Sequence, residues 1–418
     1  MTFETKTLGE VSSFSNNLRK PVTRSQRLGG QYPYYGAASI QDFVSEFLFD
    51  GRYILVGEDG TVVTEKNRPV VQIADGKFWV NNHAHVIQPI DMDDFEYLYY
   101  SLVNSNISEL VTGAVQPKLS MTNLKSLNLE WAVMSSVRQS IGNVLGLLDA
   151  KISINRKISE TLDQIAQTIF KSWFIDFDPV KAKMAGEMPV GMDDATAALF
   201  PNSIEDSELG PIPKGWTWGS VGDIALVIDC LHSKKPELLP EGRPYLQLDT
   251  IHDDGVLRFE KAVQISDVDY QKWTSRIEVC DGDCVITNVG RVGAVSQVPS
   301  HFKGAIGRNI TALRPTDETL YKTFLAIVLT SSFMKKEIRT NTDSGTILEA
   351  LNVRSIPKLR LPIVGAPLFE AFERLCGPMQ TQRQNLHREN VKLAETRDSL
   401  LPRLISGELQ IPAEMLVA

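Results

Sequence analysis

The stretch SVRQSIGNVLGLLDAKISINRKISETLDQIAQTIFKSWF (Ser136–Phe174) sets the terms for the rest of the chain. Steps of four and three from Ile141 reach Leu145, Leu148, Ile152, Asn155, Ser159, Leu162, Ala166, Ile169 and Trp173. That is an apolar seam with heptad spacing, broken by two polar residues, and it predicts a long coiled-coil helix. A second such stretch, PLFEAFERLCGPMQTQRQNLHRENVKLAETRDSLLPRL (Pro367–Leu404), gives Leu368, Phe372, Leu375, Met379, Gln382, Leu386, Glu389, Leu393, Thr396 and Leu400. Asn155 and Gln382 fall on the seams and are expected to pair, because a buried polar residue penalises slipped registers. At ~1.5 Å per residue each helix reaches on the order of 50 Å, longer than one turn of DNA at about 34 Å.

What precedes each helix is also repeated. TLGEV (Thr7–Val11), YILVGEDGTV, NNHAHVIQP and VTGAVQPKLSMTNLKSL are answered by SVGDI (Ser220–Ile224), DCVITNVGRVGAV, IGRNITALRP and TDSGTILEALNVRSI. The offset of roughly 213 to 233 residues is far longer than a solenoid repeat and marks a domain duplication. Between the copies, DPVKAKMAGEMPVGMDDATAALFPNSIEDSELGPIPK (Asp178–Lys214) holds five prolines. It is expected to be a linker with at most one short helix, around Asp193–Leu199. Such a linker lets the chain turn back, so that the helices run antiparallel and the end of the second copy comes near the start of the first.

Each head is expected to be a small mixed domain. Strands are predicted at Tyr53–Val56, Thr61–Thr64 and Cys284–Asn288, a hairpin at Val70–Ala74 and Phe78–Val80 around Asp75-Gly76, and a strand at Ala294–Val298. Helices are predicted at Asp94–Asn104 and Glu318–Ser331. The class is therefore α+β: two mixed α/β domains separated by two long helices that form an antiparallel coiled coil, in a pseudo-twofold duplicated chain. The boundaries are a first head over residues 1–135, a first helix over 136–175, a linker over 176–215, a second head over 216–362, a second helix over 363–410 and a tail over 411–418.

Composition excludes several functions. The 418 residues carry a formal net charge of −8, unusual for a lone non-specific nucleic-acid binder, which draws its affinity from neutralised phosphates. Basic residues are nevertheless clustered at Arg19–Arg27, Lys335–Arg339 and Arg354–Arg360, where solvated surface and binding stripe are both open readings. No apolar run approaches the ~18 residues that span a bilayer, and MTFETKTLGEV lacks a signal peptide's basic and apolar regions, so no membrane partner and a cytoplasmic location are expected. Cys230, Cys280, Cys284 and Cys376 form no disulfide framework, and no metal site is expected from them or from His83 and His85, which would share a strand face as polar residues or DNA contacts. GEDG and GRVG suggest phosphate cradles only faintly, because no GxxxxGK[ST] occurs and hairpin glycines are ordinary. Asp75-Gly76-Lys77, the possible end of a nuclease-like acidic motif, sits in a turn. No catalytic residue is identified.

KSWFIDFDPVKAK (Lys171–Lys183), LGPIPKGWTWGSVGDI (Leu209–Ile224), TGAVQPKLSMTNLKSL (Thr112–Leu127) and LLPRLISGEL (Leu400–Leu409) resemble the specificity subunits of type I restriction-modification systems, in the family's order and over essentially the whole chain. The resemblance implies a non-catalytic subunit whose heads are target-recognition domains, each reading half of a split sequence in double-stranded DNA. It implies that the coiled coil acts as a ruler and that the helical region docks methylation subunits, with restriction subunits joining through the complex. Adenine methylation and cleavage, with S-adenosylmethionine, ATP and magnesium, would reside on those partners, and this chain would carry no cofactor. Candidate DNA contacts are Arg19, Lys20, Arg24, Tyr34, Tyr35, Arg52, Asn82, His83 and Lys118 in the first head, and Lys234, Lys235, Arg243, Asn288, Arg291, Arg308 and Asn309 in the second. Each also has a plain reading: the tyrosines as packing residues, the asparagines as turn formers, the lysines as solvated surface. A stand-alone DNA-modifying enzyme and a coiled-coil scaffold with ligand-binding heads are the competing functions.

Overall fold

The structure, a computed structural model, describes residues 2–27, 29–113, 116–343, 350–412, 414 and 416. The repeated segments around Ala114-Val115 and residues 344–349 therefore lie partly outside the described residues. The chain divides into two units, one of residues 1–153 and 392–418, the other of residues 154–391. Both long helices are present, at Ser135–Phe170, extended by one π-helical turn over Lys171–Ile175, and at Ala366–Ile405.

In the first unit, Phe3–Thr7 pairs antiparallel with Asn128–Ala132. A four-stranded antiparallel sheet runs in the order Ser12–Phe14, Ala84–Pro89, Tyr53–Gly57, Val71–Ala74. A second sheet places Tyr32–Tyr35 between Ile40–Val44 and, in parallel, Lys77–Val80. Helix Phe95–Asn104 covers the core, which it shares with Val137, Ile141 and Leu145 of the first long helix and Leu401, Leu404 and Ile405 of the second. The end of the chain thus packs beside its beginning, as the duplicated sequence predicts. The second long helix ends at Ile405, and Gly407 just beyond takes φ +74, where a Cβ would stand 2.5 Å from the Phe3 ring.

The second unit repeats the plan. Thr217–Ser220 pairs with Arg360–Ile363, and a five-stranded sheet contains Ala225–Asp229, Ile310–Pro315, Cys284–Thr287 and Val295–Gln297 in that order. Arg243–Leu246 again has a parallel neighbour, here Ala305–Ile306. The segment KSWFIDFDP is the anchor: Phe174 meets Phe324 at 5.0 Å and Phe372 at 5.3 Å, and Trp173 meets Phe200 at 5.2 Å. Aromatic edge-to-face contacts of this kind add to the burial of large apolar area.

TLGEV and SVGDI do the same job twice. The amide of Thr7 donates to Glu10 at 2.6 Å and that of Ser220 to Asp223 at 2.7 Å, each the return half of a capping box on a one-turn helix. Leu8 N–H bonds Leu127 O and Val221 N–H bonds Leu359 O, both at 2.8 Å. Each motif's glycine permits this docking: a Cβ on Gly9 would stand 3.3 Å from Lys125 O, and one on Gly222 3.1 Å from Pro357 O.

Several expectations need correction. Thr61–Thr64 is not a strand, since only Val63 makes an isolated bridge, to Pro69, and Tyr53–Gly57 pairs with Val71–Ala74 instead. Asp75-Gly76 does turn the chain, with Gly76 at φ +76, but the strands on either side enter different sheets rather than a hairpin. The linker is more ordered than its prolines suggest. Helices form at Asp178–Met184 and Asp194–Ala198, the first with Pro179 in its first turn where no amide donor is needed. Buried Val180, Phe200 and Ile212 tie the linker to the second unit's core.

Close packing against the first long helix gives an internal comparison. A Cβ on Gly142 would lie 2.8 Å from Glu96 Cβ and 2.9 Å from Tyr97 N, whereas one on Gly146 would meet only the Glu96 carboxyl group, at 3.8 Å. Gly146→Ala is therefore expected to stabilise by about 0.5–1 kcal/mol through helix propensity. Gly142→Ala is expected to destabilise by about 1–2 kcal/mol, because overpacking outweighs that gain. Chemical denaturation of the two variants checks this, and a stabilised Gly142→Ala would contradict the packing described.

Candidate nucleic-acid interface

The helix pair supplies the frame within each unit. In the second, Asp163 meets Arg383 at 2.9 Å, and Asn155 donates to Glu389 at 2.8 Å and to Asn390 at 3.0 Å. In the first, Asp149 is paired with Arg397 and accepts from Tyr100 Oη at 2.6 Å. In both units, moving up the first helix means moving down the second, so the pairing is antiparallel. Leu145, Ile152, Asn155, Phe372 and Leu386 are buried, and Leu148, Leu162, Ile169, Met379, Leu393 and Leu400 are half-buried. Gln382 and Leu375 are exposed, so the expected Asn155–Gln382 pair does not form. Beyond Phe372 the buried line passes through Cys376, Gln380 and Arg383, one residue out of phase with a strict heptad count. A helix with 3.6 residues per turn drifts by ~20° per heptad from a 3.5 repeat, and Arg383 turns inward to reach Asp163.

In the first head a buried network stands behind the turn Gly57–Gly60. Arg19 Nη1 donates to Glu58 at 2.6 Å and to Ala84 O at 2.7 Å, and its side chain is 12% exposed. His85, fully buried, takes a hydrogen bond on Nδ1 from Asn16 Nδ2 at 2.8 Å, and its Nε2 donates to Leu119 O at 2.8 Å. His83 and His85 do not share a face: His83 precedes the strand, is exposed and pairs with Asp59. Backbone bridging between Asp59 and Lys118 gathers exposed Asn82, His83 and Lys118 around this turn. Lys20 and Arg24 are exposed before the strand Tyr32–Tyr35, and Lys20 O accepts from Trp79 Nε1 at 2.7 Å.

Other candidates are engaged in structure. Tyr34 is 1% exposed, accepts from Val22 N–H at 3.0 Å and lies 4.4 Å beneath Arg27, so it is a packing residue. Tyr35 is half-buried against Phe78, with burial and then Asp75 pushing its hydroxyl pKa up. Arg52 is bound to Glu96 at 2.6 Å and sits before Tyr53, at the end of its strand away from the Gly57–Gly60 turn.

In the second head, Asn288 and Thr311 take the register positions of Glu58 and His85 and bond each other at 2.7 Å. Asn288 is buried and its amide donates to Asn309 O at 2.8 Å, while Asn309 adopts φ 65 as the turn requires. Arg291 is bound to Ile251 O. Arg243 stacks 4.4 Å over Tyr270 and reaches Glu278 at 4.0 Å. Lys234, Lys235 and Arg308 are exposed and, among the described residues, have no ion-pair partner. Lys235 and Arg308 line a cavity of about 340 Å³ together with Tyr245, Gln247, Asp249 and Gly307. Two free cations and an amide at a half-open cavity suit phosphate and base-edge contacts.

One feature escaped the sequence reading. Leu147, Ile154, Ile158 and Ile165 on the first long helix are 70%, 54%, 41% and 41% exposed. They are spaced by seven, four and seven residues, a second heptad line alongside the buried seam. The signal was present in the sequence, but one seam already accounted for the helix.

Burial holds the pKa of His85 below the ordinary 6.5. The unfolded chain takes up a proton near that pH and the folded head does not, so the stability contributed by His85 is intact above about pH 6.5 and declines as pH falls below it. Urea midpoints at about pH 7.5 and 5.5 are expected to show an acid-side loss that His85→Gln reduces. An unchanged pH slope in the variant would contradict the buried neutral imidazole.

Comparison with known proteins matches this geometry. Residues 1–164 match the family described as the type I restriction modification DNA specificity domain. The chain is 37% identical to a Haemophilus influenzae type I restriction enzyme specificity subunit over 150 residues, 36% of this chain and 38% of that one. It is 26% identical to the type I restriction enzyme MjaIX specificity subunit of Methanocaldococcus jannaschii, over 97% of this chain and 92% of that one. The crystal structure of a type I restriction-modification system S subunit from M. genitalium superposes with a TM-score of 0.57 at 15% identity, covering 97% of this chain and 96% of that one, which establishes the shared fold. Residues 1–164 thus match the type I restriction modification DNA specificity domain, and over nearly its whole length the chain is similar to type I restriction-modification specificity subunits.

Proposed function

We propose that this chain is the non-catalytic, sequence-reading subunit of a cytoplasmic type I restriction-modification complex, binding a bipartite site in double-stranded DNA and directing partner subunits to methylate adenine or cleave. The observation that carries the reading is the same head built twice, each docked on both long helices, with exposed cations and amides on its loops. Lys20, Arg24, Asn82, His83 and Lys118 are the contacts proposed for one half-site, and Lys234, Lys235 and Arg308 for the other. Arg19, Tyr34 and Asn288 support those loops from within. S-adenosylmethionine, ATP and magnesium belong to the methylation and restriction subunits in this reading. The net charge of −8 fits a subunit whose partners complete the basic surface around DNA.

The helix pair is proposed as the ruler between half-sites. Deleting Ala150–Arg156 together with Glu389–Glu395 removes one heptad from each helix and both sides of the Asn155 contact, and leaves both Asp–Arg pairs. Seven residues rise ~10.5 Å and a base pair ~3.4 Å. The selected target is therefore expected to keep its two half-sites while the gap contracts, by at most about three base pairs; an unchanged gap counts against the ruler.

The exposed line Leu147, Ile154, Ile158 and Ile165 is proposed to receive helices of the methylation subunit, since knobs at this spacing seat into a partner helix. Ile154→Asp with Ile158→Asp is expected to abolish co-purification with that subunit while leaving the thermal unfolding of the isolated chain within a few degrees. Retained assembly would place the docking surface elsewhere.

A further inference from the structure

The strand Ala225–Asp229 ends in Asp229-Cys230-Leu231-His232, and the side chains of Asp229, Cys230 and His232 converge there. Each offers one ligand atom, and the three atoms lie within 4.8 Å of one another. Asp229 and His232 Nε2 are already 2.7 Å apart, and Cys230 is 1% exposed. One further observation distinguishes this cluster from a chance surface group. The second carboxylate oxygen of Asp229 is buried without a hydrogen-bond partner, an acceptor left unsatisfied at the cluster.

We propose that Asp229, Cys230 and His232 bind a divalent transition ion of the zinc class. Metal–ligand distances of about 2.0–2.3 Å require donors roughly 3–4 Å apart, a small closure from the spacing seen. The mixed sulfur, nitrogen and oxygen set suits zinc, with the fourth position open to water beside the exposed His232. Binding displaces the Cys230 thiol proton to solvent. The consequence is mechanical: the ion pins the chain that follows Cys230, the segment that carries exposed Lys234 and brings Lys235 to the cavity shared with Arg308. In the proposed reader this steadies one edge of the second head's DNA-contacting surface. The ion site itself stands independently of that reading.

The test uses the full chain in complex with its methylation subunit, stripped with chelator and re-equilibrated with Zn²⁺ or Co²⁺. Wild type is expected to bind one equivalent more than His232→Gln or Cys230→Ser, and its Co²⁺ form to show a thiolate charge-transfer band missing from both variants. The His232 side chain is 61% exposed, so His232→Gln leaves the core intact even if the Cys230 variant folds poorly. Chelation is expected to speed tryptic cleavage between Lys234 and Lys235 at least about fivefold in wild type and not in His232→Gln. Equal metal content and identical Co²⁺ spectra in wild type and His232→Gln would overturn the assignment, whether or not the complex binds DNA.

Discussion

Asp163 and Arg383 meet at 2.9 Å with Arg383 only 4% exposed, and Asp149 meets Arg397 in the other unit. The spacing is the same on both helices: 14 residues from Asp149 to Asp163 and 14 from Arg383 to Arg397. All the acids stand on one helix and all the bases on the other. Arg383 is buried, so sliding either helix by a heptad strands its charge in the core. Asn155, bonded to Glu389 and Asn390, adds a further term against slippage. The heads inherit this register, because each core is closed by one end of both helices: Val137 to Leu145 with Leu401 to Ile405 in the first, Ala166 to Phe174 with Leu368 to Cys376 in the second.

That dependence explains which segments were readable. KSWFIDFDP and LLPRLISGEL looked like family signatures, and physically they are helix ends. The first is an aromatic wedge that fills the second core; the second is an apolar turn closed by Gly407 in the first. TLGEV and SVGDI were legible because capping and close approach fix a residue type at each position, which leaves little freedom for divergence between the copies. The long helices were legible from periodicity alone, since no other structure rewards an apolar residue every three to four positions over 36 residues.

What failed did so for tertiary reasons. Val71–Ala74 and Lys77–Val80 look like a hairpin across Asp75-Gly76, but each strand finds a better partner elsewhere, and local turn chemistry cannot reveal that competition. The phase of the second helix shifts as Arg383 turns inward to Asp163, and the same register sets Asn155 opposite Glu389 and Asn390, about two turns from Gln382. The candidate contacts divided along one line. Arg19, Tyr34 and Asn288 have the residue types of a DNA-contacting loop yet lie inside, where they shape the loops that Lys118, Lys235 and Arg308 occupy. Residue type announces polarity; burial decides whether that polarity faces a ligand or its own backbone.

The central claim is that one chain reads two separated half-sites. The most direct measurement mixes the chain with its methylation subunit, exposes the complex to a pool of randomised duplexes at fixed moderate salt, and sequences what is retained. The account predicts enrichment of a two-part motif with a constant gap. A complex that assembles but enriches nothing, or enriches a single uninterrupted motif, contradicts it.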